Sequence, residues 1–508
     1  MGLGMFRTVL LTTVAMYPVT LGLAQAQTPM LPVEGAFAAG AGSIGQSGAV
    51  MTIDQTTARG VINWKDFSIG QGGTVQVNNG AGATLNRVTG GNLSQILGTL
   101  KATGSLYLVN PQGVVIGESG VVVTGGSFVA STLDVLNEHF MAGGSLLFKG
   151  GAGGSGGTVT NLGKISSTGG DVVLIARNVV NKGQISAPRG TAALASGTEV
   201  LLSEGGADGE RVLVRVGTAG GSVETSGLVE AATAELKAAG GNVYALAGNN
   251  GGLIRATGVE ARGGRVVLSA AGGTVSTAGT VEAKTAAGDG GRIEVTATAG
   301  ADAGGLVMHT GTLTASGRRG GAVAVRGGRV VNQGRIAADG TVGKGGTVDI
   351  AYGKRYLDIT AAHTSANGAG DAGGTVSVSG PGTLFASGRI EATGRTTGGA
   401  VDLFGDTVAL SGAKVDVSGR TGGGSLRLGG DYQGRGAAPR AREVRTTPAT
   451  SLTADALDNG LGGRVIVWSD ERTDFAGTIS ARGGARGGDG GFVEVSSKDA
   501  LHFAGLVD

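Results

Sequence analysis

Apolar and polar residues alternate along most of this chain, in short runs. In GGRVIVWSD, Val465 and Val467 share one face and Ile466 and Trp468 share the other. RGGRVVLSA and KGGTVDIAY carry the same alternation after a Gly-Gly pair. A period of two bounded by glycine-rich segments predicts many short β-strands joined by short turns.

The strands recur in register. NLGKISSTGGDVVLIARNVV from Asn161 and NKGQISAPRGTAALASGTEV from Asn181 are offset by 20 residues and share Asn, Gly, Ile and Ser. NQGRIAADG repeats the opening at Asn332, and GTVEA at Gly279, GTLTA at Gly311, GRIEA at Gly388 and GTISA at Gly477 are looser copies. A unit of this size holds two or three strands and cannot bury both faces alone. Stacked coils can, with each strand pairing to its equivalent above and below. The pattern predicts an all-β parallel β-helix. An array of β-sandwiches would show turns without in-register copies. The recurrent Asn is expected to form a ladder of stacked amides between coils. At ~4.8 Å per coil, about 20 coils would make a rod of roughly 100 Å.

Composition sharpens this picture. The 508 residues include 104 glycines, and only 4% are aromatic, so the interior must be narrow and filled by small side chains. With 40% hydrophobic residues and eight prolines, neither a disordered chain nor a collagen repeat fits. A net charge of +2 with both signs scattered gives no field for nucleic acid. Cysteine is absent, and His139, His309, His363 and His502 lie far apart, so no cofactor or metal site is predicted. MGLGMFRTVLLTTVAMYPVTLGLAQA has one early cation, Arg7, an apolar run, and small residues at Ala24 and Ala26. It reads as a signal peptide over residues 1–26, cleaved after Ala26, for Sec export into the periplasm.

One turn stands out. In LVNPQGVVIGESGVVV, Asn110-Pro111-Gln112-Gly113 separates two strand-like runs. Pro111 presets φ at the second turn position, Asn110 hydrogen-bonds forward from the first, and Gln112 at the third favours type I over type II.

Four motifs then occur in order: WKDFSIGQGGTVQVNN from Trp64, NRVTGGNLSQILGTL from Asn86, LVNPQGVVIGESG from Leu108, and ASTLD at Ala130. Together they resemble the N-terminal secretion domain of the filamentous haemagglutinin family, the large exoproteins of two-partner secretion in Gram-negative bacteria. The resemblance implies a right-handed β-helix with capping strands at its N-terminal end. It implies export through an outer-membrane transporter, a barrel with periplasmic binding domains, and a role at the cell surface, usually adhesion to a receptor the sequence does not identify. The family's Asn-Pro-Asn-Gly-Ile element matches Asn110, Pro111, Gln112, Gly113 and Val114, with Gln in place of the second Asn. Asn86, Gly90, Ser94, Gly98, Asn110, Pro111 and Gly113 are the candidate secretion-motif residues. LGGDYQGRG at Leu428, ADALDNGLGGRVIVWSD at Ala454 and GTISARGGARGGDGGFVEVS at Gly477 look like a block inside many large exoproteins of the same family. The expected layout is a signal peptide at 1–26, a secretion domain at 27–155, β-helix repeats at 156–429, and a continuing exoprotein block at 430–508.

Other motifs have plainer readings. The RGG triplets at Arg262, Arg319, Arg326, Arg482 and Arg486 lack the interleaved aromatics of RNA-binding segments and read as turns. GARGGDGG lacks the tandem nonapeptides of calcium-binding repeats. GAGGSGG near Gly151 lacks the lysine of a phosphate loop. Asp470, Glu471 and Asp474 in SDERTD are the one cluster that raises a polysaccharide-acting enzyme, as on other β-helices. No histidine sits near an acid and a serine as a triad requires. The expectation is a non-enzymatic exoprotein; the alternatives are that enzyme, or the stalk of a contact-dependent toxin whose toxin domain would need sequence beyond Asp508.

Overall fold

The computed structural model describes residues 29–150, 156–203, 213–216, 220–239, 241–245, 252–258, 263–298 and 304–508. The segment read as a signal peptide, Ala24 and Ala26 with it, lies outside the described residues, as do Arg262 and most of the glycine-rich stretch at Gly151.

Among the described residues, forty-six strands join one continuous, largely parallel sheet that winds as a β-helix with three strands per coil. One coil runs through Val114–Ile116, Val121–Thr124 and Phe128–Ser131, and the next through Thr158–Asn161, Lys164–Ser167 and Val172–Ala176. Each strand pairs with its equivalent one coil on, as Val122 with Ile165 and Ala130 with Leu174. The column from Arg59–Trp64 to Phe492–Ser497 contains sixteen strands among the described residues, fewer than the 20 coils expected. The 20-residue unit is the shortest one. Later coils are longer: His309 pairs with Asn332, then Asn332 with Asp358 and Asp358 with Ala386.

The alternation does what the pattern predicts. Inward positions stack by kind along the axis, as Val323, Val348, Val376, Val401, Leu426 and Val465 do, all buried. Glycines let the wall turn. Gly317, Gly340, Gly368, Gly394 and Gly419 form a stack of bridges at one corner. There the side-chain oxygens of Ser316, Asp339 and Asn367 each accept from the backbone N–H one coil on, at 2.9, 2.8 and 2.8 Å.

The N-terminal end is capped. Strands β1 (Ala36–Ala39), β2 (Gly42–Ser47), β3 (Val50–Gln55) and β4 (Arg59–Trp64) fold so that β1 pairs antiparallel with β4, and β2 antiparallel with β3. Only β3 and β4 hand the ladder on in parallel. The outer strand β2 is exposed and polar, which blunts a free sheet edge.

A second apolar cluster lies outside the coil. The runs Ser105–Val109, Phe128–Ser131 and Val172–Ala176 are buried on both faces, so their outward residues need a cover. Helix α1 (Asn137–Ala142) and a separate antiparallel sheet of Leu146–Lys149, Glu199–Ser203 and Leu213–Val216 lie outside the coil. Phe140 and Phe148 join Tyr107, Val129 and Val173 in this cluster.

Candidate functional site

The candidate motif residues lie in the first coils behind the cap. Asn110 is fully buried. Its Nδ2 donates to Asn92 O at 2.9 Å and to Ser94 Oγ at 3.0 Å. Its Oδ1 accepts from Gln112 N–H at 2.9 Å, and its carbonyl accepts from Gly113 N–H at 3.0 Å, which closes the turn. Gly113 has φ +128°, and Gln112 is not in the positive-φ region, as a type I turn requires. Thus the Asn side chain faces inward and ties two coils, while Pro111 and Gln112 stand exposed at the tip.

Asn86 serves a different contact. Its Oδ1 accepts from Trp64 Nε1 at 3.0 Å, and both side chains are buried. Trp64 packs edge-on against Phe67 with centroids 5.3 Å apart, so Asn86 anchors the ring that closes the cap. Gly90 and Gly98 are required by close approach. A Cβ at Gly90 would overlap the carbonyl oxygen of Lys65, and one at Gly98 would overlap that of Gly73. The structure therefore joins Asn110 with Ser94 and keeps Asn86, Gly90 and Gly98 at separate coil contacts.

Sequence reasoning missed a third network. Buried Asn79 donates to Thr84 Oγ1 and to Ser105 O, both at 2.9 Å, and accepts from Gly104 N–H at 2.7 Å. Thr84 Oγ1 passes the chain to Gln55 Oε1 at 2.8 Å. The only sequence signal was Asn78-Asn79-Gly80, a turn dipeptide ahead of glycine.

Further along, one inward column is polar. Asn161 Nδ2 donates to Asn181 Oδ1 at 2.8 Å, and Asn181 Nδ2 to Thr225 Oγ1 at 3.0 Å, the ladder the repeats predict. The same column continues through Ala245, Thr277, His309, Asn332 and Asp358. His309 Nε2 lies 3.0 Å from Arg335 O, which can only accept, so Nε2 carries the proton and Nδ1 accepts from Thr277 Oγ1 at 2.7 Å. Burial holds the His309 pKa below its ordinary value. Burial pushes the Asp358 carboxyl up to about 6, against the pull of hydrogen bonds from the Gly388 and Ser387 amides and the Tyr356 hydroxyl. At Glu391 burial pushes upward too, but hydrogen bonds from His363 and Arg389 prevail and hold it at about 2.

The remaining charged motifs are spent on ion pairs. Arg319 pairs with Asp289, Arg326 with Asp349, Arg482 with Asp455 and Arg486 with Asp458, each between coils. In SDERTD, Asp470 lies 3.4 Å from Arg440, Glu471 3.0 Å from Arg442, and Asp474 2.9 Å from Arg472. The three carboxylates are thus tied to separate arginines rather than to one another.

Comparison with known proteins places these coils among relatives. A family model described as the TPS secretion domain matches residues 30–283. A heme/hemopexin-binding protein of Haemophilus influenzae (strain ATCC 51907 / DSM 11121 / KW20 / Rd) is 32% identical over 259 residues, 49% of this chain and 28% of that protein. A second Haemophilus influenzae protein of that name is 39% identical over 117 residues, 22% of this chain and 12% of that protein. The chain therefore spans well under a third of either relative. Among solved structures, the HMW1 secretion domain from Haemophilus influenzae is 23% identical, covers 94% of this chain and 97% of its own, and has a TM-score of 0.39. The filamentous hemagglutinin secretion domain is 16% identical, covers 56% and 95%, and has a TM-score of 0.33.

Proposed function

This chain belongs to the TPS secretion domain family, and from that premise we propose that it is a surface-directed exoprotein of two-partner secretion that acts by adhesion rather than catalysis. It leaves the cytoplasm by Sec with residues 1–26 as its signal, crosses the periplasm unfolded, and exits through a dedicated outer-membrane transporter with periplasmic binding domains. Residues 27–155 are its secretion domain, 156–429 the β-helix shaft and 430–508 its continuation. Its receptor is a host or surface component, and nucleic acid is not a partner.

The observation that carries this reading is the family match over a capped first coil followed by coils that pair only with their neighbours. Solenoid stability is a sum of nearest-neighbour terms, so each coil that emerges gains its stabilisation at once by stacking on the last. Folding outside then opposes back-sliding without a nucleotide. The cap supplies the first template. In the coils behind it, Asn86, Gly90, Ser94, Gly98, Asn110 and Gly113 act by holding coils together, and exposed Pro111 with Gln112 is the part of the motif a transporter can touch.

The test is export. The chain is expressed with and without a two-partner transporter, and medium and protease-accessible surface are assayed. Transporter-dependent appearance outside supports the reading. Retention in the periplasm beside a working transporter refutes it and favours a periplasmic β-helix.

A further inference from the structure

In the C-terminal coils the chain enters one strand face through pairs of glycines: Gly398-Gly399, Gly423-Gly424, Gly462-Gly463 and Gly490-Gly491. A groove of about 700 Å³ runs over these pairs. Thr397, Ser425, Leu461, Arg464 and Phe492 complete its lining. Its floor is therefore main chain, flat and without side chains.

The two glycines of a pair differ. The second is used by the ladder: the carbonyls of Gly399, Gly424 and Gly463 accept from the next coil at 2.9, 2.8 and 2.9 Å. The first is not. Among the described residues no donor reaches the carbonyl oxygens of Gly398, Gly423 and Gly462. The groove thus offers a row of acceptors repeating once per coil.

Beside it, the outward column Ala400, Ser425, Arg464, Phe492 grows from small to large. At the large end Phe492 meets Tyr432 edge-on, with centroids 5.5 Å apart, and both rings are exposed. The Arg464 guanidinium lies 5.6 Å from each centroid. Tyr432 sits on an excursion that is firmly held. Asp431 accepts from Arg427 at 2.8 Å, Gln433 N–H donates to Glu494 at 3.1 Å, and Gly430 and Gly434 pack on the Trp468 ring. Gln433 itself has φ +54°, a backbone conformation that residues other than glycine rarely adopt and that the surrounding contacts must enforce.

A ligand for this site must be extended and flat, carry hydrogen-bond donors at regular intervals, and present apolar faces to aromatic rings. The nearby cations are already compensated, Arg464 by Asp431 at 3.7 Å and Arg427 by Asp402 at 2.7 Å, so no surplus charge calls for an anion. We propose that this groove binds a neutral linear glycan of β-linked pyranose units. Equatorial hydroxyls donate to the glycine carbonyls, and a ring's C–H face rests on Tyr432 and Phe492. The inference stands apart from the export reading, because it is tested on purified protein.

Calorimetric titration of the purified full chain with cellohexaose, xylohexaose and chitohexaose tests it, with a heparin hexasaccharide as the charged comparison. Binding of at least one neutral hexasaccharide is expected. The Tyr432→Ala/Phe492→Ala double variant should weaken it about tenfold or more, as loss of two stacking rings implies. Ser425→Trp, which fills the groove and leaves both rings in place, should weaken it as much, with the thermal midpoint recorded for each variant. No binding of any neutral probe at millimolar concentration, binding indifferent to both variants, or binding of heparin alone that vanishes with salt would each overturn the proposal.

Discussion

Asn110 reaches across to the preceding coil: its Nδ2 lies 3.0 Å from Ser94 Oγ, with both residues fully buried. The turn that looks like a surface signal is thus also a joint between coils. Asn110→Ala removes three hydrogen bonds and strands their partners, a loss of about 2–3 kcal/mol. A Pro111→Ala/Gln112→Ala variant changes only exposed side chains and should cost less than about 1 kcal/mol. Urea denaturation of refolded protein gives the stabilities. Export assays then separate the roles: a transporter that reads the tip will lose the Pro111/Gln112 variant despite its normal stability.

Gly90 and Gly91 are neighbours with opposite tolerance. A Cβ at Gly90 collides with the Lys65 carbonyl, whereas at Gly91 nothing lies within 4 Å. Gly90→Ala should destabilise the first coils by about 2 kcal/mol or more, because backbone must shift to admit it. Gly91→Ala should be neutral. Thermal midpoints of the two single variants check the contrast.

Asp358 ties stability to pH with a defined sign. Its folded pKa is about 6 against an ordinary 3.8, so the fold favours the protonated form. Its contribution is fully present below pH 3.8 and is lost as pH rises through 6, a cost of about 3 kcal/mol above that. Asp358→Asn keeps an acceptor for the Gly388 amide and removes the titration. The stability gap between variant and parent, from urea midpoints, should grow in the variant's favour from pH 4 to 6 and level off by pH 7.5. A gap that stays constant with pH would contradict the assignment.

Val376 lies mid-strand and pairs with Val348 on one side and Val401 on the other. Proline there removes a ladder donor and breaks coil stacking far from the cap. If stacking drives export, Val376→Pro should slow the appearance of protein outside the cell while leaving the secretion domain protease-resistant. A pulse-chase time course measures it, and an unchanged rate would rule stacking out as the driving force.

The coil was legible because its period is written twice: in the alternation that sets which residues point inward, and in the copies at Asn161 and Asn181 that set the register. The polar column was legible only at its recurrent asparagines, Asn161, Asn181 and Asn332. His309 and Asp358 fill the same column with different chemistry, and only the pairing reveals that they are equivalent. Helix α1 and the outer sheet were not legible. The doubly apolar runs at Ser105–Val109 and Val172–Ala176 announce that something covers them, but a cover is chosen by long-range packing, which no local period encodes. The same holds for Asn79, whose partners come from three different strands or turns. The ion pairs that tie Asp470, Glu471 and the RGG arginines were equally invisible, since each joins residues one coil apart at separations set by turn length; Asp474 pairs with Arg472 on its own strand.

The glycine pairs have one more consequence. Gly346, Gly374, Gly399, Gly424 and Gly463 occupy one column, and each passes its carbonyl to the strand residue one coil later. Each of these coils therefore presents the same main-chain edge that it accepts. Excising residues 374–398 would join Gly373 to Gly399 and restore the Gly-Gly-Ala-Val junction that the following coil already uses. Such a shaft is interchangeable in whole turns: its length can change only in steps of about 4.8 Å, and a gene that duplicates or loses one turn changes the reach of the protein without touching either end.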